Sequence, residues 1–362
     1  MNLGVASTGR DNNLNLVRFL AASSVVYAHA FGVLHRTREE PFFQTFHVGL
    51  GDFGVDVFFF ASGFLVCKSW QSRANLVDFA WARVMRIFPA LWVSNLVLAL
   101  VVGAACTTLP LAEYYQHPQT LAYLWKNATM IPGVGAELGL PSIFGSGARD
   151  FNTPLWTLPN ELQMYAILAT LGMLGLANRA SATGLLAVGG FALLVASLFA
   201  LVEPGEIDRY RFIYFFFAGA TIYNVRAHVP ISGFGAAVAV LTVVAVIAIT
   251  PRYEVRQLAL ALATPVVVLW AAFVPAGSIR RFNELGDYSY GIYIFAYPLQ
   301  LIAAHMFGAL HPLVHFVLAM LFVLPIAAVS WHRLESRAVR VKQPPVVQGL
   351  RAIAAKLQVP AR

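Results

Sequence analysis

The apolar stretch Asn15–His35, NLVRFLAASSVVYAHAFGVLH, is interrupted by Arg18 near its start and by His29 eleven residues later. Eleven residues of α-helix turn through about 1100°, about 20° past three full turns, so the guanidinium and the imidazole share one face roughly 16 Å apart. A cation and an imidazole on one stripe of a membrane helix are costly to bury, and such residues mark a site. Asp56 in a second apolar stretch, GDFGVDVFFFASGFLVCK, and Glu161, just after Trp156-Thr157-Leu158-Pro159, add two acids. Arg83 and Arg86 add two cations, three residues apart and so on one helix face. One base and two acids can handle protons, and clustered guanidinium groups can hold an anion.

The elements that must position these groups follow from composition. The chain has 362 residues, 59% of them hydrophobic and only 12% charged, with a mean hydropathy of +0.68. Soluble domains carry about 25% charged residues, so this is an integral membrane protein. Ten apolar segments are long enough for a bilayer of about 30 Å: 15–35, 51–68, 87–106, 158–177, 184–202, 211–226, 232–250, 257–275, 287–307 and 314–331. The expected fold is an all-α, polytopic bundle of about ten transmembrane helices. Residues 1–14 read as a polar, frayed segment and 69–85 as a basic loop. Leu121–Pro132 reads as a partial or re-entrant helix, followed by a loop rich in glycine (Gly133, Gly135, Gly139, Gly145, Gly147). No internal repeat is visible. Ala28-His29-Ala30 mimics a signal-peptidase site, but Arg18 sits where the apolar core would begin, so the first span is expected to be retained.

With both termini inside, most of the 25 Lys and Arg residues fall on inner segments, Arg10, Arg18, Arg83, Arg86 and the tail among them. The net charge of +8 is thus a sign of topology rather than of a nucleic-acid surface. The same N-in/C-in arrangement puts Arg18, Arg83 and Arg86 at the inner end and His29, Asp56 and Glu161 in the outer half, where the three could meet at one depth. Cys67 and Cys106 fall near opposite ends of neighbouring spans and are read as core residues without a disulfide. No zinc or haem spacing occurs, so no metal is expected. Ser62 in Ala-Ser-Gly lacks the preceding glycine of a nucleophile elbow. The remaining histidines lie mostly in loops or near span ends and carry no role.

Several stretches resemble the membrane-bound acyltransferase-3 family, whose members O-acylate bacterial carbohydrates. Arg18-x10-His29 is similar to its first-span pattern, and Gly54-Val55-Asp56-Val57-Phe58-Phe59-Phe60-Ala61-Ser62-Gly63-Phe64 to its second. Arg83-Val84-Met85-Arg86-Ile87-Phe88-Pro89 resembles its Arg-x-x-Arg-Ile-x-Pro segment, and Trp156-Thr157-Leu158-Pro159-Asn160-Glu161 its Trp-Ser/Thr-Leu-x-x-Glu segment. Ser289-Tyr290-Gly291-Ile292-Tyr293 with Pro298 resembles a late-span motif, except that many members have a histidine where this chain has Ala296. The likeness runs from about residue 15 to 335. It implies a polar segment over 1–14, an acyltransferase-3-like transmembrane domain over 15–335 and a basic cytoplasmic tail over 336–362. The soluble C-terminal enzyme domain fused to some members is not expected.

The resemblance implies an acyl donor, acetyl-CoA, as substrate. Arg83 and Arg86 would hold its phosphates, and Arg18 would assist or line the path. An extended pantetheine arm of on the order of 15 Å, by the reach of an extended chain, matches the Arg18–His29 offset. His29 would be the general base for a sugar hydroxyl, with Asp56 or Glu161 orienting its other nitrogen; a covalent acyl-histidine is the alternative. The implied partners are acyl-CoA, a lipid-linked or exported glycan as acceptor, and membrane lipid. The implied location is the bacterial inner membrane. A proton-coupled transporter with His29, Asp56 and Glu161 as a relay is the competing class; the missing repeat and the paired arginines speak against it.

Overall fold

A computed structural model describes residues 1–9, 11–35, 40–73, 75–131, 136–145, 149–202, 206–308, 310–345 and 347–348. Arg10, Gly133, Gly135, Gly147 and the tail from 349 onward lie outside the described residues. The chain is built from long helices, which we number α1 (Leu14–His35), α2 (Leu50–Arg73), α3 (Leu76–Val97), α4 (Leu158–Met173), α5 (Ala180–Leu198), α6 (Ile207–Asn224), α7 (Gly233–Ile249), α8 (Tyr253–Phe273), α9 (Ser289–Phe307) and α10 (Pro312–Ser330). Among the described residues six helices are long and apolar enough to cross a membrane, beginning at Leu14, Leu50, Leu76, Ala180, Tyr253 and Pro312, and Gly233–Ile249 is a shorter apolar one. The only named strands among the described residues are a two-residue antiparallel pair, Gly139–Leu140 with Arg149–Asp150.

Local chemistry explains the helix ends. The Asn75 side chain accepts the backbone N–H groups of Val77 and Asp78, at 2.9 and 3.2 Å, and so starts α3. Segment 69–85 is therefore not a loop: α2 runs to Arg73 and α3 begins at Leu76, which puts Arg83 and Arg86 on a helix. Pro159 lies in the first turn of α4, and Pro312 in that of α10, where a missing N–H costs nothing. The expected partial helix near 121–132 is the helix Pro118–Thr129. It docks on α3 through Asn95, whose amide donates to the Leu124 carbonyl at 2.8 Å.

The N-terminus is not frayed. Leu3 is fully buried, its N–H donates to the Val229 carbonyl, and the Asn2 side chain caps a short helix, Leu3–Ala6. One buried apolar residue and a few main-chain bonds are enough to dock it.

Packing sets the register of the central helices. A β-carbon at Gly63 would lie 1.8 Å from the Phe216 carbonyl oxygen, and one at Gly219 would lie 2.2 Å from that of Phe60. α2 and α6 therefore touch backbone to backbone, with the Phe59 and Phe212 rings stacked 4.1 Å apart. Likewise a β-carbon at Gly51 would meet Ala28 and one at Gly54 would meet Ser24 and Ala21, so α1 and α2 are antiparallel, with His29 near the level of Gly51. α9 and α10 close against α1 through small side chains: Ala22, Val26, Ile292, Ala296, Ala319, Val323 and Ala327 form one buried cluster. Ala296 is 2% exposed there, in space sized for a methyl group.

Candidate functional site

Two adjoining cavities lie in the space bounded by α1, α2, α4 and α9, and a third lies against the start of α1, the later part of α2 and the end of α8. The outer one, about 470 Å³, is lined by His29, Asp52, Trp156, Tyr293 and Tyr297 among others. A small central one of about 50 Å³ lies among Arg18, Phe58, Glu161, Ser289 and Tyr290. Val55 and Tyr293 border both. An inner one, about 730 Å³, is lined by Asn15, Lys68, Arg280, Gly286, Trp331 and Arg340 among others.

His29 is half-buried, with its ring edge-on to Tyr297 at 5.0 Å between centroids. Asp56 is buried and pairs with Arg211 of α6 at 2.9 Å. The same guanidinium reaches Asp208 at 2.9 Å and the Asp52 carbonyl at 3.1 Å. Glu161 accepts a hydrogen bond from the Ser62 hydroxyl at 3.0 Å and another from Tyr165. Ser62 lies eight residues inward of Gly54, which is level with Ser24, so Glu161 sits at the depth of Arg18 rather than of His29. Glu161 therefore does not join His29 at one depth, although the sequence led one to expect it. The five-residue 3-10 turn Thr153–Thr157 carries the chain inward before α4 begins, which lowers Glu161.

At the inner level Asp287 is the hub. Its carboxylate pairs with Arg18 and with Arg86, each at 2.5 Å, and Arg86 also pairs with Glu335 at 3.1 Å. Two backbone devices hold this cluster. Gly286 has φ +113° and a β-carbon there would meet the Trp331 ring nitrogen at 2.0 Å, so only glycine lets the chain turn into Asp287. A π-helical turn, Trp331–Glu335, then brings Glu335 to the arginine.

Arg83 takes a different direction from Arg86. Its guanidinium lies 3.4 Å from the Ser69 hydroxyl and 5.8 Å from the Tyr165 ring centroid, and its buried Nε has no hydrogen-bond partner among the described residues. Among the described residues no carboxylate forms an ion pair with it. Arg86 thus converges with Arg18 on Asp287, while Arg83 turns towards Ser69 and Tyr165. It connects through Tyr165 to Glu161 and Ser62, a buried polar chain inside α2, α3 and α4.

Sequence reasoning missed Asp287, Glu335, Arg211, Asp52 and Glu40. Asp52 stands four residues before Asp56, which is a helix-face signal. The others are brought in by tertiary contacts that no spacing announces. Glu40 lies between α1 and α2, 2% exposed, and accepts the Leu50 N–H at 2.5 Å. Burial raises its carboxyl above the usual range and the charge of Asp52 adds to this, while the bond from Leu50 opposes. No group of three or more His, Cys, Asp or Glu that could hold a metal occurs among the described residues.

A family model described as an acyltransferase domain matches residues 11–332. Over 368 residues the chain is 26% identical to Nodulation protein 10 of Rhizobium leguminosarum bv. viciae, covering 93% of this chain and 95% of that protein. Over 348 residues it is 25% identical to an O-acetyl transferase of Shigella phage Sf6, covering 91% of this chain and 96% of that one. No solved structure matches.

Proposed function

The chain belongs to the membrane acyltransferase family just described, and from that premise we propose that it moves an acetyl group from acetyl-CoA, bound from the cytoplasmic side, to a hydroxyl of a surface or exported glycan on the other side. The observation that carries this reading is the succession of cavities. The narrow centre beside Arg18 is joined by Val55 and Tyr293 to the cavity of His29, and a further cavity, with Lys68, Arg280 and Arg340 beside Asp11 and Glu284 on its walls, lies against the start of the helix that carries Arg18.

In this reading about ten helices span the bacterial plasma membrane with both termini inside. The nucleotide end of the donor rests in the inner cavity, among Lys68, Arg280 and Arg340. Arg83, whose guanidinium keeps unused donors, takes a phosphate. Arg18 and Arg86 are held by Asp287 and Glu335 and shape the mouth. The pantetheine arm threads the centre and delivers the thioester to His29. His29 takes the proton of the attacking hydroxyl; the new C–O bond forms, the C–S bond breaks, and the proton passes to the departing thiolate. Glu161 borders the path, and Tyr165 links it to Arg83. Asp56, held by Arg211, orients α2 rather than the imidazole.

The separation of Glu161 from His29 and the pairing of Asp56 with Arg211 break the particular relay of His29, Asp56 and Glu161 that a transporter reading needs, which favours transfer chemistry over transport. Purified chain in lipid nanodiscs, supplied with acetyl-CoA and a glycan extract, should release free CoA and give an acetylated glycan; intact thioester under every acceptor would overturn the reading.

A further inference from the structure

The outer cavity is acidic. Glu40, Asp52, Asp150 and Asp208 all line it, and among the described residues no lysine or arginine does. Arg211 balances Asp208, but it sits on the far side with its other contacts to Asp56 and the Asp52 carbonyl. Backbone N–H groups fix two of the carboxylates: Gly49 donates to Asp52 at 3.1 Å and Leu50 to Glu40 at 2.5 Å. The second oxygen of Glu40 is buried in the cavity wall and has no hydrogen-bond partner among the described residues. A buried acceptor without a donor is costly, and it is satisfied by a ligand that brings O–H or N–H groups. Trp156 and Tyr297 supply flat faces on the same walls, suited to the C–H face of a sugar ring.

We propose that this cavity is an acceptor subsite for sugar residues that carry no acidic group, either uncharged or amine-bearing, and that its carboxylates reject uronic-type sugars. Hydroxyl or ammonium donors complete Glu40 and Asp52, while a sugar carboxylate would face several like charges in a walled, low-dielectric space. The word acceptor rests on the acyl-transfer reading above; the charge selectivity does not.

Two measurements on the full chain in nanodiscs test this. Gly32 lines the cavity and a β-carbon there meets nothing within 4 Å, so Gly32→Cys introduces a thiol reporter, with wild type as control for Cys67 and Cys106. A cationic methanethiosulfonate should modify it faster than an anionic one by at least about tenfold more than at a free thiol, within the range of electrostatic focusing in clefts. Asp52→Asn, and independently Asp150→Asn at an exposed position, should each shrink that preference. A reagent preference equal to that of a free thiol overturns the proposal. In the second arm, a neutral chitin trisaccharide, its amine-bearing chitosan counterpart and a galacturonic acid trisaccharide are offered with acetyl-CoA. Acetylation of either of the first two with sparing of the third supports the proposal, and equal acetylation of the acidic one overturns it. If acetyl-CoA is untouched with all three and with the glycan extract while the thiol reporter keeps its cation preference, the acyl-transfer reading fails and the charge selectivity stands.

Discussion

Asp287 meets Arg18 at 2.5 Å from a position 269 residues further along the chain, and so joins the start of the first long helix to the start of α9. The same carboxylate holds Arg86 of α3. Three helices thus converge on one anion at the inner level, and the guanidinium groups are placed by it before any substrate arrives.

Removing that anion should be costly. Asp287→Asn leaves two half-buried cations without their shared partner, and the cost should approach, from below, the ~3–5 kcal/mol of breaking a fully buried pair. Thermal unfolding in detergent should show a lower midpoint for Asp287→Asn than for Glu335→Gln, because Glu335 serves Arg86 alone while Asp287 serves both.

Asp56 and Arg211 should behave as a structural couple. Asp56→Asn is expected to lose stability, and a double-mutant cycle with Arg211→Gln should give a coupling of about 0.5–3 kcal/mol, the range for contacting residues. Per folded molecule, transfer by Asp56→Asn should stay within about tenfold of wild type, well short of the 10²–10⁴ loss expected on removing a general base. A loss as deep as that of His29→Ala would return Asp56 to the chemistry.

The contact between α2 and α6 leaves no room for a side chain. Gly63→Ala and Gly219→Ala each drive a methyl group into backbone and should cost at least the ~1–3 kcal/mol of overpacking. Gly189→Ala in α5, where a β-carbon meets nothing within 4 Å, serves as the control; it should be neutral or stabilising by up to ~1 kcal/mol through helix propensity. The two classes separate in denaturation midpoints.

Glu40 supplies a pH dependence with a definite sign. Its carboxyl is raised in the folded state by burial and by Asp52, so folding favours the protonated form. Its contribution is fully present below the ordinary carboxylate value and is lost as pH rises through the raised one. Glu40→Gln should therefore be more stable than wild type at neutral pH, and this difference should vanish in acid. Parallel midpoints at all pH values would contradict it.

Much of the fold was legible. Composition and apolar runs located each long helix to within a few residues at most ends, because lipid demands a distinctive composition. The exception was the start of α3: Arg83 and Arg86 made the segment look like a loop, yet the Asn75 cap begins a helix seven residues ahead of Arg83 and a further three ahead of Arg86. The site was legible as a list of residues but not as groupings. Helical spacing put Arg18 and His29 on one stripe, and both indeed face the cavity system. Spacing said nothing of which acid would find which base. Asp56 went to Arg211, Glu161 to Ser62 and Tyr165, and Arg86 to Asp287, because those pairings depend on the rotation and depth of helices set by close glycine contacts and by the 3-10 turn before α4.

The central claim is a division of labour between an outer base and an inner anion site. It is tested most directly by acetyl-CoA binding and turnover in nanodiscs, comparing wild type, His29→Ala and Arg83→Ala at matched folded protein. His29→Ala should bind the donor with unchanged affinity and lose turnover by about 10²–10⁴. Arg83→Ala should weaken donor binding while turnover at saturating donor persists. Normal turnover by His29→Ala, or unchanged donor affinity in Arg83→Ala, would contradict the account.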